Sequence, residues 1–300
     1  MVRPVRVRHA IGATVLALGC AALAVFIPGQ AHADPASVSR EYVALGDSYT
    51  SGPIIPLQTG QPAGCLRSDH NYPSLVHAAL PSSAFRDISC SGATTVDMTN
   101  AQAVTGGSNP PQLSALTERT ALVSLGIGGN DIGFAGIIET CALKSPTQPL
   151  GAACRDYYRR GGRDEISDRI HATAPKVAAV LEEIGDRSPD ARVLVVGYPT
   201  LLPDSGPGCF PVVPFSPGDV AYLRGVEHQL NGMLAAAAKD AGADYVDTYR
   251  GSIGHDMCQL PGTKWVEGLV PTSPAAPAHP NALGMRHSAR AVLYTLHVSS

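Results

Sequence analysis

Five short runs rich in β-branched and apolar residues, separated by stretches of helical character, limit what this chain can fold into. The runs are Tyr42–Leu45, Phe85–Ser89, Ala121–Leu125, Arg192–Gly197 and Asp244–Asp247. Among the intervening stretches, Pro73–Leu80 and Gln112–Leu116 are short helix candidates, the first with its proline at a helix-start position. Longer helices are expected over Asp164–Arg187 and from Pro217 to Ala241, and a last one from Asn281 to about Leu296. In the Pro217–Ala241 segment, Val220, Leu223, Leu230, Leu234 and Ala237 recur on one face at helical spacing. Strands alternating with helices make βαβ units, and right-handed crossovers join these into a parallel sheet covered on both faces. The expected fold is α/β: a three-layer α/β/α sandwich around a five-stranded, mainly parallel sheet of flavodoxin-like order.

Residues 139–163, 199–218 and 251–280 fit that repeat poorly. The first carries Cys141 and Cys154; the other two are rich in proline and glycine and carry Cys209 and Cys258. Long irregular loops in a compact domain are usually functional or tied down, and disulfides can do the tying. There is no internal repeat and no interdomain linker, so a single domain is expected.

The first 33 residues stand apart from it. Arg3, Arg6 and Arg8 lead into an apolar run from Ala10 to Ile27, followed by Pro28 and the small-residue site Ala31-His32-Ala33. This order reads as a secretory signal, residues 1–33, cut before Asp34 and leaving one domain over 34–300. An uncleaved membrane anchor competes, because the apolar run is near the lower limit for crossing a bilayer. The cleavage site favours removal. Cys20 suggests a lipoprotein site, but the apolar run continues past it to Ile27. Cleavage removes three arginines and no acid, leaving 19 basic against 25 acidic side chains. That acidic balance gives no electrostatic reason to expect nucleic acid or anionic lipid as a partner. A secreted monomer without stable membrane insertion is expected.

With Cys20 gone, Cys65, Cys90, Cys141, Cys154, Cys209 and Cys258 remain. An even number in an oxidising compartment suggests three disulfides. The sequential pairing Cys65–Cys90, Cys141–Cys154 and Cys209–Cys258 is the simplest, each closing one local excursion, although six cysteines permit other pairings. Zinc is the weaker reading: there is no CxxC, and His255 with Cys258 has no second pair.

Sites on open parallel sheets form beyond the carboxyl ends of the strands. There the sequence places Gly46-Asp47-Ser48 after the first strand, Cys90-Ser91-Gly92 after the second and Gly128-Gly129-Asn130-Asp131 after the third. Near the C-terminus, Pro277-Ala278-His279-Pro280-Asn281 precedes the last helix. A serine needs a base to be a useful nucleophile, and histidine suits neutral pH. A tetrahedral oxyanion needs preorganised donors, which Ser48 N–H, Gly92 N–H and the Asn130 amide can supply. Bland readings compete: Ser48 as a helix cap, Gly92 and Asn130 as turn residues. Asp47 and Asp131 are read as loop braces, and Trp265 as loop packing. The Gly126-Ile127-Gly128-Gly129 turn lacks the spacing and the lysine of a phosphate cradle. The GxSxG elbow of another hydrolase class is also absent around Ser48.

Taken together in this order, the four blocks resemble the SGNH (GDSL-type) hydrolase family. With the leader and six cysteines, the chain particularly resembles its secreted actinobacterial lipases and esterases. The resemblance implies a flavodoxin-like three-layer fold, sequential disulfides, no metal or cofactor, and ester hydrolysis. It implies Ser48 and His279 as catalytic residues, with Ser48, Gly92 and Asn130 as the oxyanion hole. One departure matters: where the family commonly has Asp, three residues before the histidine, this chain has Ala276. Either a backbone carbonyl in the 274–278 segment or Asp256 must then orient His279. Fatty-acyl esters are the first substrate expectation. The alternatives are a carbohydrate acetyl esterase and a catalytically silent surface-binding module.

Overall fold

The computed structural model describes residues 40–80 and 84–297; the leader, its cleavage site and Cys20 lie outside the described residues. The central sheet has five strands: β1 (Glu41–Gly46), β2 (Ala84–Asp87), β3 (Thr120–Gly126), β4 (Arg192–Val196) and β5 (Asp244–Val246). They are all parallel and lie in the order β2-β1-β3-β4-β5, the flavodoxin-like arrangement.

Strand alternation divides the core in two. Tyr42 and Ala44 of β1, with Leu194 and Val196 of β4, point to one face. There they meet α2 (Tyr72–Ala79) and α7 (Ala282–Thr295) through Val76, Met285 and Val292. Val43, Leu45 and Val195 point to the other face, against α5 (Glu165–Arg187) and α6 (Pro217–Asp240). Val177, Leu181 and Ile184 of α5 and Val220, Leu223, Leu230 and Leu234 of α6 are buried there. Burying each such side chain contributes about 1.5–3 kcal/mol. Asn71, Asp164 and Asn281 cap α2, α5 and α7, each accepting backbone N–H groups of the first turn.

Several expected boundaries move, each for a local reason. Strand β2 ends at Asp87 rather than Ser89, because the Asp87 carboxylate takes both the N–H and the hydroxyl of Ser89 and turns the chain. The Gln112–Leu116 helix is one 3-10 turn, Gln112–Ala115, whose glutamine side chain pairs with the backbone of Gly46. In α6 the fully buried alanine is Ala238, with Ala237 only half-buried.

Residues 139–163 are not an irregular loop. They hold the latter part of α3 (Phe134–Lys144), a 3-10 turn, α4 (Ala153–Tyr158) and most of a tight hairpin, Arg159–Arg160 with Arg163–Asp164. Helix α4 has no capping side chain of its own, and Asp219 of α6 accepts the N–H groups of Cys154 and Arg155 instead. That partner is 65 residues away in sequence from Cys154, so nothing local announces the helix. A second small hairpin, Gln102–Val104 with Gly107–Asn109, was also not expected. Residues 199–218 and 251–280 are mostly irregular. Disulfides join Cys65 to Cys90, Cys141 to Cys154 and Cys209 to Cys258, the last linking the two proline-rich segments.

Candidate active site

At the carboxyl end of β1 the chain turns sharply into α1 (Ser48–Ser51). Gly46 makes this possible: at φ 150°, an added Cβ would lie 2.3 Å from Thr50 Oγ1 and 2.6 Å from the Gly126 carbonyl. Asp47 caps the helix, accepting the Tyr49 N–H at 2.8 Å. Ser48 is therefore the first helical residue, and its N–H is among the donors that a helix start leaves open. Its side chain is nearly buried, and its Oγ lies 2.8 Å from His279 Nε2. The two are 231 residues apart in sequence.

His279 is oriented by its own loop. Nδ1 lies 2.7 Å from the Pro277 carbonyl, so the proton resides on Nδ1 and the lone pair of Nε2 faces the Ser48 hydroxyl. Ala278 adopts φ 58°, a left-handed conformation uncommon for a residue with a Cβ. It is held there by the Tyr49 hydroxyl on its carbonyl at 2.6 Å and by its own N–H on Gly268. The Tyr49 ring also lies against the His279 ring, with centroids 4.9 Å apart. Burial pushes the His279 pKa below the ordinary 6.5, against a smaller opposing effect of the Pro277 carbonyl, and so favours the neutral imidazole.

Asp256 is engaged elsewhere. Its carboxylate takes the N–H of Cys258 and the side-chain amide of Gln259, within its own turn. Asp256→Asn is accordingly expected to leave kcat within a few-fold. A steady-state measurement showing a loss of about 10⁴, as when a triad acid is removed, would make Asp256 the orienting group.

Ser48, Gly92, Asn130 and His279 all line one open cleft. Gly92 has φ 79°, and its N–H has no acceptor among the described residues. One N–H of the Asn130 amide goes to the Ala93 carbonyl at 2.9 Å, leaving the other for a ligand. The aspartates brace these loops. Asp131 accepts the N–H and hydroxyl of Thr95, tying the third block to the segment after the second. Asp47 accepts the Tyr198 hydroxyl at 2.6 Å, and that oxygen accepts the Gly129 N–H at 2.8 Å. Desolvation pushes the Asp47 carboxyl up to about 7, against the Tyr198 and Tyr49 hydrogen bonds, with a further upward contribution from Asp131. Trp265 stacks between His255 and His287.

Tyr49, Tyr198 and Gln112 hold the site but were not singled out from the sequence. Tyr198 follows β4 at the same sheet edge as the first three blocks, and that position after a strand is its signal in the sequence. Gln112 offers no local signal. Among the described residues, no three His, Cys, Asp or Glu side chains are grouped so as to hold a metal ion.

A second compartment shares Ser48, Asn130, Phe134 and Ile138 with the open cleft. It is walled by Ile132, Ile137, Leu202, Leu223, Leu230 and Met257, and its acidic members are Asp47 and Glu227. The Ser48 hydroxyl thus sits where an open, largely apolar cleft meets a more enclosed apolar pocket. That is the geometry of a site that holds a carbonyl and buries a hydrocarbon chain.

Comparison with known proteins gives concordant results. A family profile described as the GDSL-like lipase/acylhydrolase family matches residues 44–287. The chain is 40% identical over 290 residues to lipase 2 of Streptomyces coelicolor, covering 94% of this chain and 95% of that one. Among solved structures it is similar to phospholipase A1 from Streptomyces albidoflavus, with TM-score 0.72 and 29% identity over 85% of this chain and 99% of the other. It is also similar to the extracellular lipase of Streptomyces rimosus, with TM-score 0.70 and 28% identity over 87% of this chain and 100% of the other.

Proposed function

The chain belongs to the GDSL-like lipase/acylhydrolase family and is a carboxylic ester hydrolase; from that premise we propose that it cleaves fatty-acyl esters with Ser48 as nucleophile and His279 as base. The observation that carries this reading is the 2.8 Å approach of Ser48 Oγ to His279 Nε2 at the junction of the cleft and the apolar pocket. Ser48 Oγ attacks the acyl carbonyl and its proton passes to Nε2. The new oxyanion is held by Ser48 N–H, Gly92 N–H and the free N–H of Asn130. His279 then gives its Nε2 proton to the leaving alcohol, and a water deprotonated at the same nitrogen releases the acid. Throughout, Nδ1–H stays on the Pro277 carbonyl, which fixes ring orientation but lends the imidazolium only a dipole.

The fatty-acyl preference is supported by the apolar pocket and by relatives named as lipases and a phospholipase A1. Fluorophosphonate labelling with mass-spectrometric mapping should modify the peptide containing Ser48, and p-nitrophenyl esters of rising chain length should show activity beyond acetyl. A steep preference for acetyl would turn the reading to a carbohydrate esterase. Neither hydrolysis nor labelling would leave only a binding module.

A pH profile tests the base. His279 must be neutral to accept the Ser48 proton, so activity falls as pH drops through its pKa. Because burial holds that pKa below 6.5, kcat/KM should keep its plateau into mildly acidic solution. An acid limb at or above the ordinary histidine value would contradict the assignment. Because the Asp47 carboxyl is pushed up to about 7, the profile is compared with that of Asp47→Asn, and the limb that persists there is the one assigned to His279.

Export belongs to the same reading, with residues 1–33 acting as a removable signal and 34–300 as one catalytic domain. It is supported by the leader pattern, three disulfides and an extracellular relative. Among the described residues no helix is long and apolar enough to cross a membrane. All proposed site groups come from one chain, so a monomer suffices.

A further inference from the structure

The buried stripe of α6 runs Val220, Leu223, Leu230, Leu234, and the position that completes its spacing is Glu227. It is only 5% exposed and lies in the wall of the apolar pocket that starts at Ser48, among Leu223, Leu230 and Met257. Its two carboxyl oxygens share one donor, the Leu201 N–H, at 3.0 and 3.3 Å. Among the described residues no cation forms an ion pair with it. Burial holds the carboxyl well above the usual carboxylate range; Asp256 and Asp204 add to this, while Arg224 opposes it. The Arg224 guanidinium is itself bound to the carbonyls of Pro203 and Gly206. Tyr49, Tyr245 and Tyr249 are the other titratable groups that feel its charge. The hydrogen bond that the carboxyl receives from Leu201 N–H uses its oxygens as acceptors, so a protonated Glu227 brings an O–H donor that this bond does not use.

A carboxyl is an expensive group to place in a hydrocarbon pocket unless something pairs with it. A plain alkyl chain filling the pocket covers that donor and leaves it unsatisfied; a chain carrying an oxygen at the right depth does not. We propose that Glu227 sets the substrate specificity of the acyl pocket, donating a hydrogen bond to an oxygen within the acyl chain, so that oxygen-bearing acyl groups are preferred over plain alkyl chains of equal length. This rests on the reading of Ser48 as the residue that becomes acylated.

The test is a set of p-nitrophenyl esters of one chain length in which an ether oxygen replaces a single methylene at successive positions. The plain alkyl ester is the reference, and kcat/KM is measured for the wild type, Glu227→Gln and Glu227→Leu. One oxygen position should exceed the reference by about tenfold or more in the wild type. Glu227→Gln should keep the preference, its amide oxygen accepting Leu201 N–H and its amide N–H donating to the ether. Glu227→Leu should lose or reverse it. No favoured position in the wild type, or a preference that survives in Glu227→Leu, overturns the proposal. Should the leucine variant not fold, pH decides. Ionising Glu227 removes the donor, so the wild-type preference should fade as pH rises while that of Glu227→Gln persists; equal pH behaviour of the two overturns the proposal. If the plain ester itself is not hydrolysed, the reading of Ser48 has failed; a plain ester hydrolysed with no oxygen preference overturns only the role of Glu227.

Discussion

Replacing Ser48 with alanine is expected to lower kcat by about 10⁶-fold, the scale seen when a nucleophile or base is removed from a coupled pair. The substitution deletes a single oxygen, bonded to His279 Nε2 at 2.8 Å, from a side chain that is already small and nearly buried. The turn itself is held by Gly46, the Asp47 cap and the Tyr49 contacts, so the thermal unfolding transition should barely move. His279→Ala should cost about as much, and the double variant little more than either alone, because the two side chains perform one proton transfer. Single-turnover kinetics on the three variants check this. Losses that add on a logarithmic scale would mean that the two residues act independently, and a Ser48→Ala variant within about a thousandfold of wild type would point to another nucleophile.

Asn130→Ala carries the second-largest expectation, a fall in kcat of about 10²–10³ with KM little changed. The amide nitrogen has two hydrogens; one holds the Ala93 carbonyl at 2.9 Å, and the other is free to meet negative charge that exists only after attack. A residue that merely shaped the cleft would alter KM at least as much as kcat. Asn130→Asp sharpens the comparison, because an ionised carboxylate has nearly the same shape but no donor and repels the oxyanion. It should be at least as damaging as alanine, and an aspartate variant retaining wild-type kcat would remove Asn130 from the oxyanion hole.

The sheet was readable because its signals are local. Tyr42 through Leu45 form an unbroken apolar run because alternate residues enter two cores, and Val220, Leu223, Leu230 and Leu234 share a face of α6; a short apolar run and a helical period mark such elements. The helical stretch between Phe134 and Tyr158 escaped because the start of α4 is satisfied from outside, by Asp219, and no residue beside it carries the signature. The site shows the same division. Ser48, Gly92, Asn130 and His279 stand in recognisable blocks. Tyr198, which links Asp47 to Gly129, does not, since its role depends on β4 lying beside β3. Glu227 carries no such mark, because periodicity weighs apolar residues and a carboxyl on a buried stripe registers only as a gap.

The five strands, the helices α2, α5, α6 and α7, the leader pattern, the even cysteine count and the four polar blocks at strand ends are set by residues close together in the chain, and the sequence alone determined them. Only the tertiary structure decided how His279 is oriented where Ala276 replaces the usual acid. The Pro277 carbonyl reaches Nδ1 because Ala278 is held left-handed, and it is held by Tyr49 from the far end of the chain. Tertiary structure also put Glu227 into the pocket beside Ser48. Neither could be read in advance, because a backbone carbonyl is present at every residue and a carboxyl on every glutamate, and what distinguishes these two is the neighbour that folding brings to them.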